Sequence, residues 1–297
     1  MSKVIMQVKN ITKKFPANNN RFLTACDDVS LNINAGETVG IVGESGCGKS
    51  TLVKTIMNMH APTSGEVIFH NQDITKLTGE KRRQNCRHIQ MVFQDPTAAF
   101  NPKMKIGNII CEPLLNFNLI KKSQIKEKAR ELLRLVELPD DFVDRYPNNM
   151  SGGQRQRVAI ARALALEPEI IVCDEATSAL DVSVQAKIIE LLVKLQREKN
   201  ITYIFICHDL ALVSLFSTCI YPLSSTPGSC CGYFHNLVLC LAVIISKIKS
   251  QAIVQELHIQ TRFVRSRDFR LQLVVHLHIV FGRGQYTIIE FERVGVV

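Results

Sequence analysis

Nowhere in its 297 residues does the chain hold an apolar run long enough to cross a bilayer. The longest, Leu237 to Ile245, has nine residues, whereas a spanning helix needs about twenty. The N-terminus, MSKVIMQVKN, lacks the apolar h-region of a secretory signal. Such a chain is expected to be soluble and to reach a membrane only through a partner. No two of the ten cysteines have CxxC spacing, and Cys173 and Cys207 lie inside apolar runs. That is the pattern of buried thiols in a reducing compartment, not of a disulfide framework. No run of Lys or Arg exceeds three residues, and the basic residues are not interleaved with aromatics. The net charge of +9 therefore reads as a solvated basic face, and nucleic acid is not expected as a partner. Internal repeats and low-complexity tracts are also absent.

What is present is a folded α/β pattern. A hydrophobic content of 46% fits a chain with a substantial core. Short apolar runs bounded by turn residues predict strands at Val4–Val8, Val29–Ile33, Thr38–Val42, Gly65–Phe69, His88–Phe93, Ile170–Cys173 and Ile201–Cys207. A helix is predicted from Lys49 to Met59. Ile125, Ala129, Leu132, Leu133 and Val136 mark one face of another, ended by Pro139 and two Asp residues. Further helices are predicted over Gly152–Leu166 and Val184–Arg197, the latter with Ser183 as N-cap. All-apolar strands alternating with helices imply a mainly parallel sheet buried on both faces. The helix-rich middle, residues 96–160, reads as an insertion.

Gly43-Glu44-Ser45-Gly46-Cys47-Gly48-Lys49-Ser50-Thr51 fits G-x-x-x-x-G-K-[ST], directly after a predicted strand and opening a helix. Glycines let the backbone curl so that its N–H groups converge on phosphate oxygens, and the helix N-terminus adds positive potential there. Lys49 is placed to reach β- and γ-phosphates, and the Ser50 hydroxyl to ligate Mg²⁺. The run Ile170-Ile171-Val172-Cys173-Asp174-Glu175 ends a buried strand in two acids. Ionised carboxylates in that position are costly without a partner, and a Mg²⁺–nucleotide is one. Asp174 would hold the metal; Glu175 would take a proton from an attacking water.

With these come Ser151-Gly152-Gly153-Gln154 and, after it, Arg155-Gln156-Arg157-Val158-Ala159-Ile160-Ala161-Arg162-Ala163. Together the residues resemble the ATP-binding cassette family over about residues 3–213. Position 150 is Met where many members carry Leu. The resemblance implies a P-loop NTPase core with a mainly parallel sheet, an antiparallel β subdomain and an inserted helical subdomain. It makes Ser151–Gln154 the signature, Gln94 the Q-loop glutamine and a further metal neighbour, and Ser178-Ala179-Leu180-Asp181 the D-loop. His208 becomes the switch histidine, and Phe15 the aromatic against adenine. Phe22 competes for that role, and either fits a core position instead.

The resemblance further implies ATP and Mg²⁺ as cofactors and ATP hydrolysis as the activity. It implies a dimer of ATPase subunits in which Ser151, Gly152 and Gly153 of one close over the phosphate loop of the other. Gln94-Asp95-Pro96-Thr97-Ala98-Ala99-Phe100-Asn101-Pro102, Glu112-Pro113-Leu114 and Cys173 to Gln185 are similar to dipeptide and oligopeptide importers. Permease subunits and a solute-binding protein are then expected partners, at the cytoplasmic face of a bacterial inner membrane. A non-transport ATPase of the same family and an inactive remnant are the competing readings.

Beyond Phe216 the likeness stops. Acids fall to four in the last 81 residues, against 23 in the first 216. Runs such as Leu271–Val280 alternate poorly. The expected division is a cassette over 1–213 and an atypical tail over 214–297, from a frameshift near codons 215–220. A diverged accessory domain is the alternative, as is a zinc site of Cys230, Cys231, His235 and Cys240. Missing edge strands are expected to leave open sheet edges.

Overall fold

A computed structural model describes residues 3–17, 21–178, 180–207, 213 and 216–223, and strand backbone over 254–265, 271–281 and 285–293. It divides into two units, Met1–Asn236 and Leu237–Val297, each considered by itself.

In the first unit, alternating apolar and polar residues build an antiparallel sheet. Strands β1 (Val4–Pro16), β2 (Phe22–Asn34), β4 (Ser64–Phe69) and β5 (Gln72–Asp73) lie in the order β2-β1-β4-β5. Both long strands extend well past the predicted segments. Register shifts along the β1–β2 pair break the period-2 pattern, which is why the sequence showed only its ends.

The all-apolar strands form the second sheet. Strands β3 (Thr38–Gly43), β6 (Ile89–Val92), β7 (Ile170–Asp174), β8 (Thr202–Cys207) and β9 (Cys219–Leu223) run parallel in the order β6-β7-β8-β3-β9. Every residue of β8 is buried, as expected of strands covered on both faces. Helix α1 (Lys49–Ile56) buries Leu52, Val53 and Ile56 in a cluster shared by both sheets. Strand β9, which follows residue 213, pairs with β3 and forms one edge of this sheet.

Three α-helices escape the sequence reading. Helix α2 (Gly79–His88) has no buried residue and hence no apolar period. The short α3 (Pro96–Ala99) follows β6, and α4 (Ile106–Asn116) comes next, with Pro113 inside it. That proline disguises a helical stripe of Ile106, Ile109, Ile110 and Leu114. These pack with α5 (Ile125–Leu135) and α6 (Gly152–Leu164) into a helical layer. Ile109, Ile110 and Leu133 are at most 2% exposed, and each contributes about 1.5–3 kcal/mol by burial. Helix α7 (Val182–Lys199) starts two residues before the predicted start. Its N-cap is Asp181, not Ser183; the Asp181 carbonyl accepts from the Val184 and Gln185 amides, so Ser183 lies inside the helix.

In the second unit, β10 (Val254–Arg265), β11 (Leu271–Phe281) and β12 (Gln285–Arg293) form an antiparallel meander with β11 central. The poorly alternating run Leu271–Val280 is thus a strand. Cys230, Cys231, His235 and Cys240 lie outside the described residues. Among the described residues no helix is long and apolar enough to cross a membrane.

Candidate active site

The parallel sheet delivers its loops to one edge. β3 ends at Gly43, β6 at Val92 two residues before Gln94, and β7 at Asp174; in parallel neighbours these are the same end. Ligands of open α/β sheets bind outside the carboxyl ends of the strands.

The loop after β3 is shaped by backbone that only glycine supplies. Gly48, the N-cap of α1, has φ +95°, and a Cβ there would stand 1.8 Å from the Ala25 carbonyl oxygen. The loop therefore rests against the β2 backbone. The Lys49 side chain, 5% exposed, folds back across the loop. Its Nζ donates to the Gly43 and Glu44 carbonyls, both at 2.7 Å, and lies 3.8 Å from Cys47 Sγ. A cation thus sits inside a curl of Gly43, Glu44, Ser45, Gly46, Cys47 and Gly48, at the start of a helix whose first turn holds no acid. Ser50 and Thr51 follow in that turn.

Across from the loop, Ser50 Oγ donates to Asp174 Oδ1 at 3.3 Å. Burial foremost, and then the negative charge of Glu175, push the Asp174 carboxyl above its ordinary range, although the Ser50 hydrogen bond pulls it down. A half-buried carboxylate held uncomfortably ionised beside a hydroxyl is a hard oxygen donor set, and it fits Mg²⁺. Glu175 adopts φ +48°, the left-handed region, which costs a non-glycine residue about 1–2 kcal/mol. Its N–H is held by the Ile206 carbonyl of β8 at 3.1 Å.

Ser178 completes the cluster. Its hydroxyl donates to the Glu175 carbonyl at 2.9 Å and accepts from Gln94 Nε2 at 3.3 Å. The sequence placed Ser178 in a loop motif but gave no sign of this bridge. Lys49, Ser50, Asp174, Glu175, Ser178 and Gln94 are thereby brought together. Asp181 is exposed at the start of α7. His208 and Ala179 lie outside the described residues.

Ser151 and Gln154 form a reciprocal capping box at the start of α6. The Gln154 N–H donates to Ser151 Oγ at 3.3 Å, and the Ser151 N–H to Gln154 Oε1 at 2.9 Å. Among the described residues no hydrogen bond joins this exposed turn to the phosphate loop of the same chain. Gly153 lets α6 approach α7, since a Cβ there would meet Val184 at 2.6 Å, and a Cβ at Gly152 would meet Leu180, just before α7, at 3.3 Å.

Neither aromatic candidate belongs to the core. Phe15 is half-buried, edge-on to His60 at 6.0 Å with Lys13 Nζ 5.1 Å over its ring. Phe22 is 68% exposed. Both stand on the β1–β2 ribbon whose Ala25 supports the loop.

Residues 26–178 match the ABC transporter family. The chain is 49% identical over 219 residues to the probable peptide ABC transporter ATP-binding protein y4tS of Sinorhizobium fredii, covering 72% of this chain and 62% of that protein. It is 48% identical over 216 residues to the oligopeptide transport ATP-binding protein AppF of Bacillus subtilis, covering 70% and 66%. It is 44% identical over 222 residues to OppF of the same species, covering 73% and 72%. The chain thus spans less than two thirds of the length of the first two. Among solved structures it is similar to a dimeric ATP-binding cassette in a post-hydrolysis state bound to ADP and Pi. That likeness has TM-score 0.67 and 36% identity, over 74% of this chain and 95% of that one.

Proposed function

The chain belongs to the ABC transporter family, and on that premise we propose that it binds and hydrolyses ATP to energise an importer of dipeptides or oligopeptides. The observation that carries the reading is the meeting of a lysine-filled phosphate loop with the acids ending β7, bridged by Ser50 and Asp174. The names of the relatives support the peptide class.

In this reading the loop amides and Lys49 bind the ATP phosphates, Lys49 exchanging its carbonyl partners for phosphate oxygens. Mg²⁺, held by Ser50 and Asp174 with Gln94 beside it, would neutralise phosphate charge. Glu175 accepts the proton of the attacking water, its position fixed by the Ile206 carbonyl behind it and by Ser178. Gln94 and His208 orient that water. Phe15 contacts adenine from the β1–β2 ribbon. The exposed Ser151 and the half-buried Gly152, Gly153 and Gln154, at the start of α6, donate to the γ-phosphate held by a second ATPase subunit, with Asp181 at the same junction. Closure of the pair drives permease subunits supplied by a solute-binding protein, at the cytoplasmic face of a bacterial inner membrane.

The cassette is proposed to run to Val213, with residues 214–297 arising from a reading-frame change. The sequence likeness to the three relatives covers 70–73% of the chain. The loss of family likeness beyond Phe216 favours the second reading, a partly folded remnant. Translation of the other two frames of the coding DNA tests it: a family-like ending after Val213 supports the frameshift, and none in either frame refutes it.

Reconstitution with the permease subunits of a peptide importer tests the main reading. ATP-dependent uptake of di- or oligopeptides by proteoliposomes is expected. ATP hydrolysis indifferent to permease and peptide would favour a non-transport ATPase, and no hydrolysis the remnant.

A further inference from the structure

The sheet of the second unit has two chemically different faces. In the β10-β11-β12 meander the register is regular from Glu256 onward, so alternate residues of each strand share a face with their Cα partners on the next. Leu257, Ile259, Val275, Leu277, Ile279 and Ile289 fall together on one face. The other face carries His258 of β10, His276 and His278 of the central β11, and Glu290 of β12. His258 is the Cα partner of His278, and Glu290 that of His276. Directly opposite partners stand about 5 Å apart at Cβ, diagonal ones about 7–8 Å, and residues two apart on one strand about 7 Å. His276-Leu277-His278 thus supplies two imidazoles one pleat apart, and His258 a third from the adjoining strand. The strand register joins a set that sequence distance separates, since His258 precedes the pair by 18 and 20 positions.

We propose that this face of the β10-β11-β12 sheet is a Zn²⁺ site, formed by His258, His276 and His278 with Glu290 beside them. Three neutral imidazoles and a carboxylate are a donor set of borderline softness, suited to Zn²⁺ and not to Mg²⁺ or Ca²⁺. An acid next to a metal-ligating histidine is the usual partner of such a ring. As a merely solvated face the arrangement gains nothing, because directly opposed histidines repel one another once protonated. No thiol takes part, so the site is distinct from the set Cys230, Cys231, His235 and Cys240. It lies in the second unit alone and does not depend on the nucleotide site. It is a property of the tail as translated, whether or not the reading frame changed. Three strands with one apolar face are the least that stands alone in water. A metal joining β10 to β11, with Glu290 of β12 alongside, adds its binding energy to the folding of that sheet.

Calorimetric titration of the full chain with ZnCl₂, in excess Mg²⁺ to occupy oxygen-only sites, tests the assignment. One Zn²⁺ per chain is expected to bind and to slow hydrogen exchange over 254–293. His258→Gln, His276→Gln and His278→Gln each weaken binding by more than about 100-fold, and Glu290→Gln by about 10- to 100-fold, the range of a partner outside the ligand set. His70→Ala leaves the affinity unchanged, because His70 Nε2 is engaged in the first unit with Glu169 Oε2 at 2.7 Å. Binding weakens below about pH 6.5, where imidazoles take up protons. Co²⁺ in place of Zn²⁺ gives the visible absorption of a tetrahedral nitrogen site without a thiolate band. Should a variant lose the sheet, the Co²⁺ spectrum and the 254–293 exchange of the unaltered chain still decide. Absence of Zn²⁺ binding overturns the proposal, as do binding that survives the three histidine variants, a thiolate band with Co²⁺, and exchange over 254–293 indifferent to Zn²⁺.

Discussion

Replacing Gly48 by alanine tests whether the phosphate loop is held in shape by its contact with β2. Two costs add. At φ +95° an alanine pays the left-handed penalty, about 1–2 kcal/mol. In addition, its Cβ would lie 1.8 Å from the Ala25 carbonyl oxygen and 2.9 Å from the Ala25 carbonyl carbon. Real Cβ contacts essentially never fall below 3.0 Å, so loop and strand must part by about 1.2 Å. Both neighbours are backbone and no rotamer relieves them; overpacking of this kind costs a further ~1–3 kcal/mol. Gly46 supplies the internal control. It too has positive φ, +83°, but a Cβ there meets nothing within 4 Å, so Gly46→Ala bears only the conformational cost. Urea unfolding in the absence of nucleotide should rank the chains as wild type, then Gly46→Ala, then Gly48→Ala, with about 1–3 kcal/mol between the two variants. Titration with a fluorescent ATP analogue should show Gly48→Ala weakened by up to about 100-fold, since a misplacement of 1 Å can cost that much. A Gly48→Ala chain as stable as Gly46→Ala would refute the argument that Ala25 braces the loop.

Three further outcomes follow from the same geometry. Asp174→Asn should stabilise the nucleotide-free chain, by ~1 kcal/mol or less given its partial exposure, while abolishing the Mg²⁺ dependence of nucleotide binding. The folded chain holds the Asp174 proton more tightly than the unfolded one. The stabilisation by Asn should therefore grow as pH rises from about 4 through the raised pKa and stay constant above it; unfolding curves across that range that show no growth would contradict the assignment. Gly153→Ala should force α6 from Val184 and cost about 1–3 kcal/mol in unfolding experiments. Burial pushes the Cys111 thiol up to about 11 and that of Cys173 to about 12, so iodoacetamide at pH 8 should spare both in the folded chain.

The sequence reading succeeded where one residue pattern had one physical cause. An all-apolar strand, a glycine curl and a Lys-Ser helix start leave a single arrangement, and the residues from Gly43 to Thr51 were legible from it. Likewise, β7 and its two acids needed no structure to be found. Legibility failed where local pattern and tertiary need diverged. Helix α2 buries nothing, so it has no period to read. In α4, Pro113 hides a stripe that the helical layer stabilises regardless. The left-handed backbone of Glu175 and the Ser178 bridge depend on β8 and on Gln94, more than thirty and eighty residues away in sequence. The fork of Arg162 joins Glu112 and Ala99, 50 and 63 positions away, which no spacing rule connects.

Phosphate release from MgATP by the purified full chain, beside its Glu175→Gln variant, bears most directly on the central claim. Both should bind the nucleotide, because Gln keeps the shape of the site, and the variant should release phosphate about 10²- to 10⁴-fold more slowly, the usual contribution of a positioned base. Equal turnover by the two chains would remove Glu175 as the base and, with it, the account of how this site hydrolyses ATP.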